Sequence, residues 1–115
     1  MRIEGSKYII CYDDKTNTIS FSGKLRLDNI DKSLSQLVGL LDQILEEEPD
    51  QITLDVRQLE FLNSLGISTI SKFIIKVRNR RSIHAAVKAS KESSWQSKSI
   101  VNLKKIMPSL SLSWD

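Results

Sequence analysis

Hydrophobic and polar positions change period several times along this chain, and each change marks an element. Residues 7–12, Lys-Tyr-Ile-Ile-Cys-Tyr, are rich in β-formers. A polar turn at 13–17 separates them from 18–22, Thr-Ile-Ser-Phe-Ser, which alternates as a half-buried strand does. The two predict a hairpin, with Gly23, Leu25 and Leu27 continuing extended chain or leading into a helix. Leu34, Leu37, Val38, Leu41, Ile44 and Leu45 then recur at three- and four-residue steps, the stripe of an amphipathic helix. Asp28, Asn29 or Asp31 can cap that helix, and Pro49 stops it. Glu46, Glu47 and Glu48 sit where the helix dipole disfavours negative charge, which suits an exposed end.

Period two returns at Ile52, Leu54 and Val56, predicting a central strand. Leu59, Phe61 and Leu62 read as packing residues of a following loop. A helix over 64–79 carries Ile67, Ile70, Ile74 and Val77 on one face. Residues 83–89 read as a strand. A helix capped by Ser93 or Ser94 runs to Met107 before Pro108, and 110–114 alternates as an edge strand. The order is ββαβαβαβ. Strands separated by helices imply parallel pairing through right-handed crossovers, so the expectation is an α/β fold.

At 115 residues, 40% apolar and 27% charged, the chain reads as one soluble globular domain spanning 1–115. No apolar run approaches the roughly 20 residues of a membrane helix, and the start lacks an apolar signal segment. Cys11 is the one cysteine, so neither an internal disulfide nor a thiolate zinc site is expected. These features favour a cytoplasmic location.

Net charge is +3, unevenly spread. Residues 1–60 hold 7 Lys/Arg against 12 Asp/Glu, a balance of −5; residues 61–115 hold 10 against 2, a balance of +8. The basic half can steer an acidic partner, or simply solvate helix faces. Only Trp95 lies among those lysines, so the stacking platform of a single-strand binder is missing and no nucleic acid is expected.

The richest segment is Leu54-Asp55-Val56 followed by Leu59-Glu-Phe-Leu-Asn-Ser-Leu-Gly-Ile67. It places Asn63 and Ser64 where a strand hands over to a helix, a mouth whose unpaired N–H groups favour anions. Ser64 and Asn63 are candidate caps, and Gly66 permits a close approach. His84 has no partner residues in sequence for metal or base chemistry. Asp13-Asp14 lacks the length and glycine of a calcium loop. Phosphate-loop, dinucleotide, zinc-protease and nucleophile-elbow motifs are absent from the sequence. The expected class is non-enzymatic, with no cofactor.

Element order, length and this segment together resemble the STAS domain of bacterial anti-sigma factor antagonists and stressosome subunits, across nearly the whole chain. In that family the segment typically reads Asp-Ser-Ser-Gly or Asp-Ser/Thr-x-Gly; here it is Asn63-Ser64-Leu65-Gly66. The resemblance implies a mixed sheet of four to five strands with helices mainly on one face. It implies partners of three kinds: a serine/threonine kinase of the anti-sigma type, a phosphatase, or other STAS subunits. It also implies a phosphorylation switch in signal transduction and transcription regulation. The family's usual acceptor position, directly before the glycine, is Leu65, which has no hydroxyl. Two alternatives remain: a binder without the switch, or a switch moved to Ser64. The expected partner surface comprises Asn63, Ser64, Leu65 and Gly66, with Lys72, Lys76 and Arg80 steering an acidic partner. Small-ligand sensing of a nucleotide or phospholipid is the alternative function.

Overall fold

The computed structural model describes residues 1–30 and 32–115. The elements are β1 (Arg2–Glu4), β2 (Tyr8–Asp13), β3 (Thr18–Leu25), α1 (Ser33–Glu46), β4 (Gln51–Leu62), α2 (Ser64–Arg80), β5 (His84–Ala89), α3 (Ser94–Ser99), α4 (Val101–Ile106) and β6 (Ser111–Trp114). The sheet has six strands in the order β1-β2-β3-β4-β5-β6. Its first three strands pair antiparallel and the remainder in parallel. The α/β class and STAS-like arrangement hold, with six strands instead of four to five. β1 accounts for the difference: three residues are too few for alternation to register.

Alternation explains the two faces of the sheet. Ile10, Ile19, Phe21, Leu54, Val56 and Val87 are buried beneath the helices. Their sequence neighbours Cys11, Ser20, Asp55 and Lys88, continued by Ser113 of β6, form a register row on the opposite, open face. α1 touches β1 and α2, and α2 touches β5 and α4. The helices therefore lie side by side in chain order, as the strands do. Leu37, Leu41, Ile44, Ile70, Phe73, Ile74 and Val77 join the buried cluster from the two long helices.

β3 continues as extended chain through Gly23 to Leu25, with a Gly23 φ of +85°, a conformation other residues adopt only at a cost. Three expectations change. The stretch expected as loop after Val56 is strand: β4 runs to Leu62 with two register shifts against β3. Each shift adds a residue to β4 relative to β3, so the buried residues Leu59 and Leu62 fall three apart, and period two disappears. α1 begins after Lys32, which makes no side-chain cap bond. Asp28 instead accepts from the Ile30 N–H in a turn, and Asp31 lies outside the described residues. The final helix is two short ones, α3 and α4, broken at Ile100.

Candidate functional site at the β4–α2 junction

β4 has 12 residues and β5 only six, so pairing with β5 ends at Asp55. Beyond that point the β4 carbonyls facing β5 would be orphaned, which is costly in a buried strand. Gln96 supplies the missing donors. Its Nε2 donates to Val56 O at 2.7 Å and to Leu59 O at 3.1 Å, while its Oε1 accepts from Ser90 N–H at 2.8 Å. Trp95 Nε1 donates to Leu59 O as well, at 3.1 Å. Gln96 is 0% exposed. Sequence reasoning did not single it out, because a glutamine in a short polar helix carries no pattern.

The supported overhang ends at Asn63, the N-cap of α2. Its Oδ1 accepts from the N–H of Gly66 and from that of Leu27, each at 3.1 Å. Its Nδ2 donates to Leu27 O at 2.8 Å. The two-way bond with Leu27 fixes the amide orientation: a reversed amide would oppose N–H to N–H and oxygen to oxygen. Asn63 is thus a clasp, joining the segment after β3 to the first turn of α2. Asn63 also donates its backbone N–H to Leu25 O at 3.3 Å, extending the ladder.

Ser64 follows, exposed, in the first position of α2. Its hydroxyl makes no hydrogen bond among the described residues. Leu65 is half-buried and Gly66 buried. A Cβ on Gly66 would come within 2.3 Å of Leu62 Cδ1 and 3.2 Å of Asn63 Oδ1, so the glycine admits both the strand end and the clasp. At the end of β4, two residues before Asn63, Phe61 is 37% exposed. The Arg26 guanidinium lies 4.8 Å from the Phe61 ring centroid.

The expected basic residues do not gather at the mouth. They run down the flank of α2 facing α1. Lys76 pairs with Asp42 at 2.9 Å and Arg80 with Glu48 at 2.9 Å. Lys72 makes no ion pair among the described residues. Lys72 and Lys76 rim a groove of about 270 Å³ whose apolar wall is Leu34, Val38, Leu41, Leu65 and Phe73. Other cations of the basic half serve the fold: Arg78 donates to Ile106 O, and Lys104 donates to Pro108 O and Leu110 O.

Asp55 lies on the open face beside Arg57. Hydrogen bonds from the guanidinium hold its carboxyl below the usual range, against the opposing effect of partial burial. Arg57 also donates to Asp115, and its own pKa is raised, first by Asp55 and then by Asp115. Among the described residues no cluster of His, Cys, Asp and Glu could hold a metal. No described helix is long and apolar enough to cross a membrane.

No protein-family model matches the chain, and no curated protein matches it in sequence. Solved structures do match in shape. A chain of the complex between diguanylate cyclase SiaD and its activator SiaC from Pseudomonas aeruginosa superposes with TM-score 0.77 at 12% identity, over 100% of this chain and 99% of that one. Apo-SiaC from the same organism gives 0.71 at 15% identity, over 100% and 97%. An anti-sigma factor antagonist from Mycobacterium paratuberculosis gives 0.62 at 16%, over 95% and 90%. The chain folds as a STAS-like domain, in common with SiaC and the mycobacterial antagonist.

Proposed function

We propose that this protein is a one-domain, cytoplasmic, non-enzymatic regulator that docks another protein through the start of α2, with Ser64 as the switch. The carrying observation is a division of labour at the β4–α2 junction. Asn63 spends every side-chain hydrogen bond on the fold, whereas the adjacent Ser64 hydroxyl is exposed and unbonded among the described residues. A phosphate there brings about −1.5 to −2 charges to a helix N-terminus, which accommodates it, and repels an acidic partner surface. Leu65 and Phe61 supply apolar contact, and Gly66, itself buried, lets the first turn of α2 pack closely on Leu62 and the Asn63 clasp. Lys72 steers an acidic approach; Lys76 and Arg80 contribute less, because Asp42 and Glu48 offset them.

The neighbours in shape support a protein partner. One is an activator found in complex with a diguanylate cyclase, another an anti-sigma factor antagonist. For this chain the partner is a serine/threonine kinase of the anti-sigma type opposed by a phosphatase, or a sister STAS subunit. The test uses wild type and Ser64→Asp as matched baits in the native cell, with intact mass of the native chain. A protein held by wild type and lost by Ser64→Asp, with one phosphate increment mapping to Ser64, is the expected result. Equal recovery on both baits and no phosphate would remove Ser64 from the interface.

The α1–α2 groove favours a second reading, sensing of a phospholipid or nucleotide through its apolar wall and Lys72. Saturable micromolar binding of such a ligand without any protein partner would support it.

A further inference from the structure

Because strands and helices both follow chain order across the molecule, charge asymmetry along the sequence becomes asymmetry in space. The acidic excess lies in residues 31–60, which supply α1 and β4 and hold 8 Asp/Glu against 2 Lys/Arg, while residues 1–30 are near balance at 4 against 5; the basic half forms the α2, β5, α4 and β6 side. Each end carries a distinct feature that the site at α2 does not use.

At the acidic end lies a cavity of about 420 Å³ between the β2–β3 turn and α1. Leu40 and Ile44 form its floor; Asp13, Asp14 and Glu47 stand at its rim with Gln43 and with Met1, whose N-terminal ammonium donates to Tyr12 O at 3.4 Å. Asp13 accepts from the Lys15 N–H, while Asp14 and Glu47 make no ion pair or side-chain hydrogen bond among the described residues. Lys15 is the one basic side chain in that turn. Tyr12, in the wall, bonds to Asn17.

At the basic end, Lys98 on α3 and Val101 and Lys105 on α4, on either side of the break at Ile100, are all exposed. Val101 is 37% exposed, an apolar residue between the two lysines in sequence. Neither lysine makes an ion pair among the described residues, in contrast to Lys76 and Arg80. An exposed apolar residue between two lysines matches an apolar floor with three carboxylates at its rim.

We propose that this protein associates head-to-tail with further copies of itself, the Lys98–Val101–Lys105 ridge of one copy seated on the Asp13–Asp14–Glu47 cavity of the next. The two surfaces differ, so the contact is heterologous and propagates into rings or filaments. It leaves the start of α2 free in each copy.

The test is sedimentation equilibrium on the full chain at about 20 mM and about 500 mM salt, between which the screening length falls from about 20 Å to about 4 Å. Wild type self-associates at low salt and disperses at high salt. The double variants Lys98→Glu with Lys105→Glu, and Asp14→Lys with Glu47→Lys, each lose association about tenfold or more. All four positions are exposed, and a lysine at 47 suits the end of α1, so both variants fold, which circular dichroism checks. Mixing the two variants restores association, because each then finds a complementary surface on the other. A wild type that is monomeric at low salt overturns the proposal. So does association that ignores either double variant, or a mixture that stays monomeric. A ridge that binds duplex DNA, in a chain that does not self-associate, would assign it to nucleic acid instead.

Discussion

Replacing Asn63 by alanine should destabilise the fold more than loss of an ordinary helix cap. Capping alone is worth about 1 kcal/mol. Here the same side chain also satisfies both backbone groups of Leu27, whose side chain is 3% exposed. A buried donor or acceptor left without a partner costs about 1–3 kcal/mol, towards the lower end where water can enter. The expected loss for Asn63→Ala is therefore about 2–4 kcal/mol. Asn63→Asp separates the parts. It keeps an acceptor for Gly66 and Leu27 and gains a favourable helix-dipole term, yet it places a second oxygen where Nδ2 donates to Leu27 O at 2.8 Å. Its cost should be intermediate, about 1–2 kcal/mol. Urea titrations with an unchanged slope give both values, and amide exchange at Leu27 and Gly66 locates the loss. A change below about 0.5 kcal/mol for alanine, or an aspartate variant as stable as wild type, would refute the clasp.

Gly66→Ala should cost about 1–3 kcal/mol by overpacking against Leu62, measured in the same titration. Gln96→Leu, close in volume, should cost about 2–4 kcal/mol by leaving Val56 O and Ser90 N–H without their partners; a neutral result would mean water replaces them. Asp55 has a folded pKa below its unfolded one, so its contribution to stability is present above about pH 4 and lost as pH falls through the folded value. Arg57→Leu should flatten the acid limb of the stability profile; an unaltered limb would show that Arg57 does not hold the carboxylate.

Helix-period and strand-period segments were legible because they bury one face. The stripe from Leu34 to Leu45 and the run Ile52–Val56 behave in the fold as their spacing implies. What escaped was of three physical kinds. β1 is too short to show a period. β4 beyond Val56 breaks period two through two register shifts, so its true strand residues resemble a packed loop. Hydrogen bonds across 36 to 40 positions, from Asn63 to Leu27 and from Trp95 and Gln96 to β4, leave no local signature. Asn63 was legible as a cap because its bond to Gly66 is local; its second role required the fold. The basic flank was legible as charge but not as pairing, since Asp42 and Glu48 lie 34 and 32 positions from Lys76 and Arg80.

These long-range bonds decide where the junction stands. A strand that outruns its neighbour on one side has unpaired carbonyls there, and a sheet would ordinarily shorten it to avoid them. Gln96 and Trp95 remove that penalty from the side, so β4 keeps its length with only β3 paired to its last residues. The clasp at Asn63 then binds the far end of that overhang to the chain leaving β3. Ser64 is carried past the rim of β5 on a strand end fixed from two sides, with its own hydroxyl uncommitted among the described residues. The switch proposed at Ser64 draws on this arrangement: with the strand end held by these bonds, a change in charge at the hydroxyl would alter the fit without a backbone rearrangement.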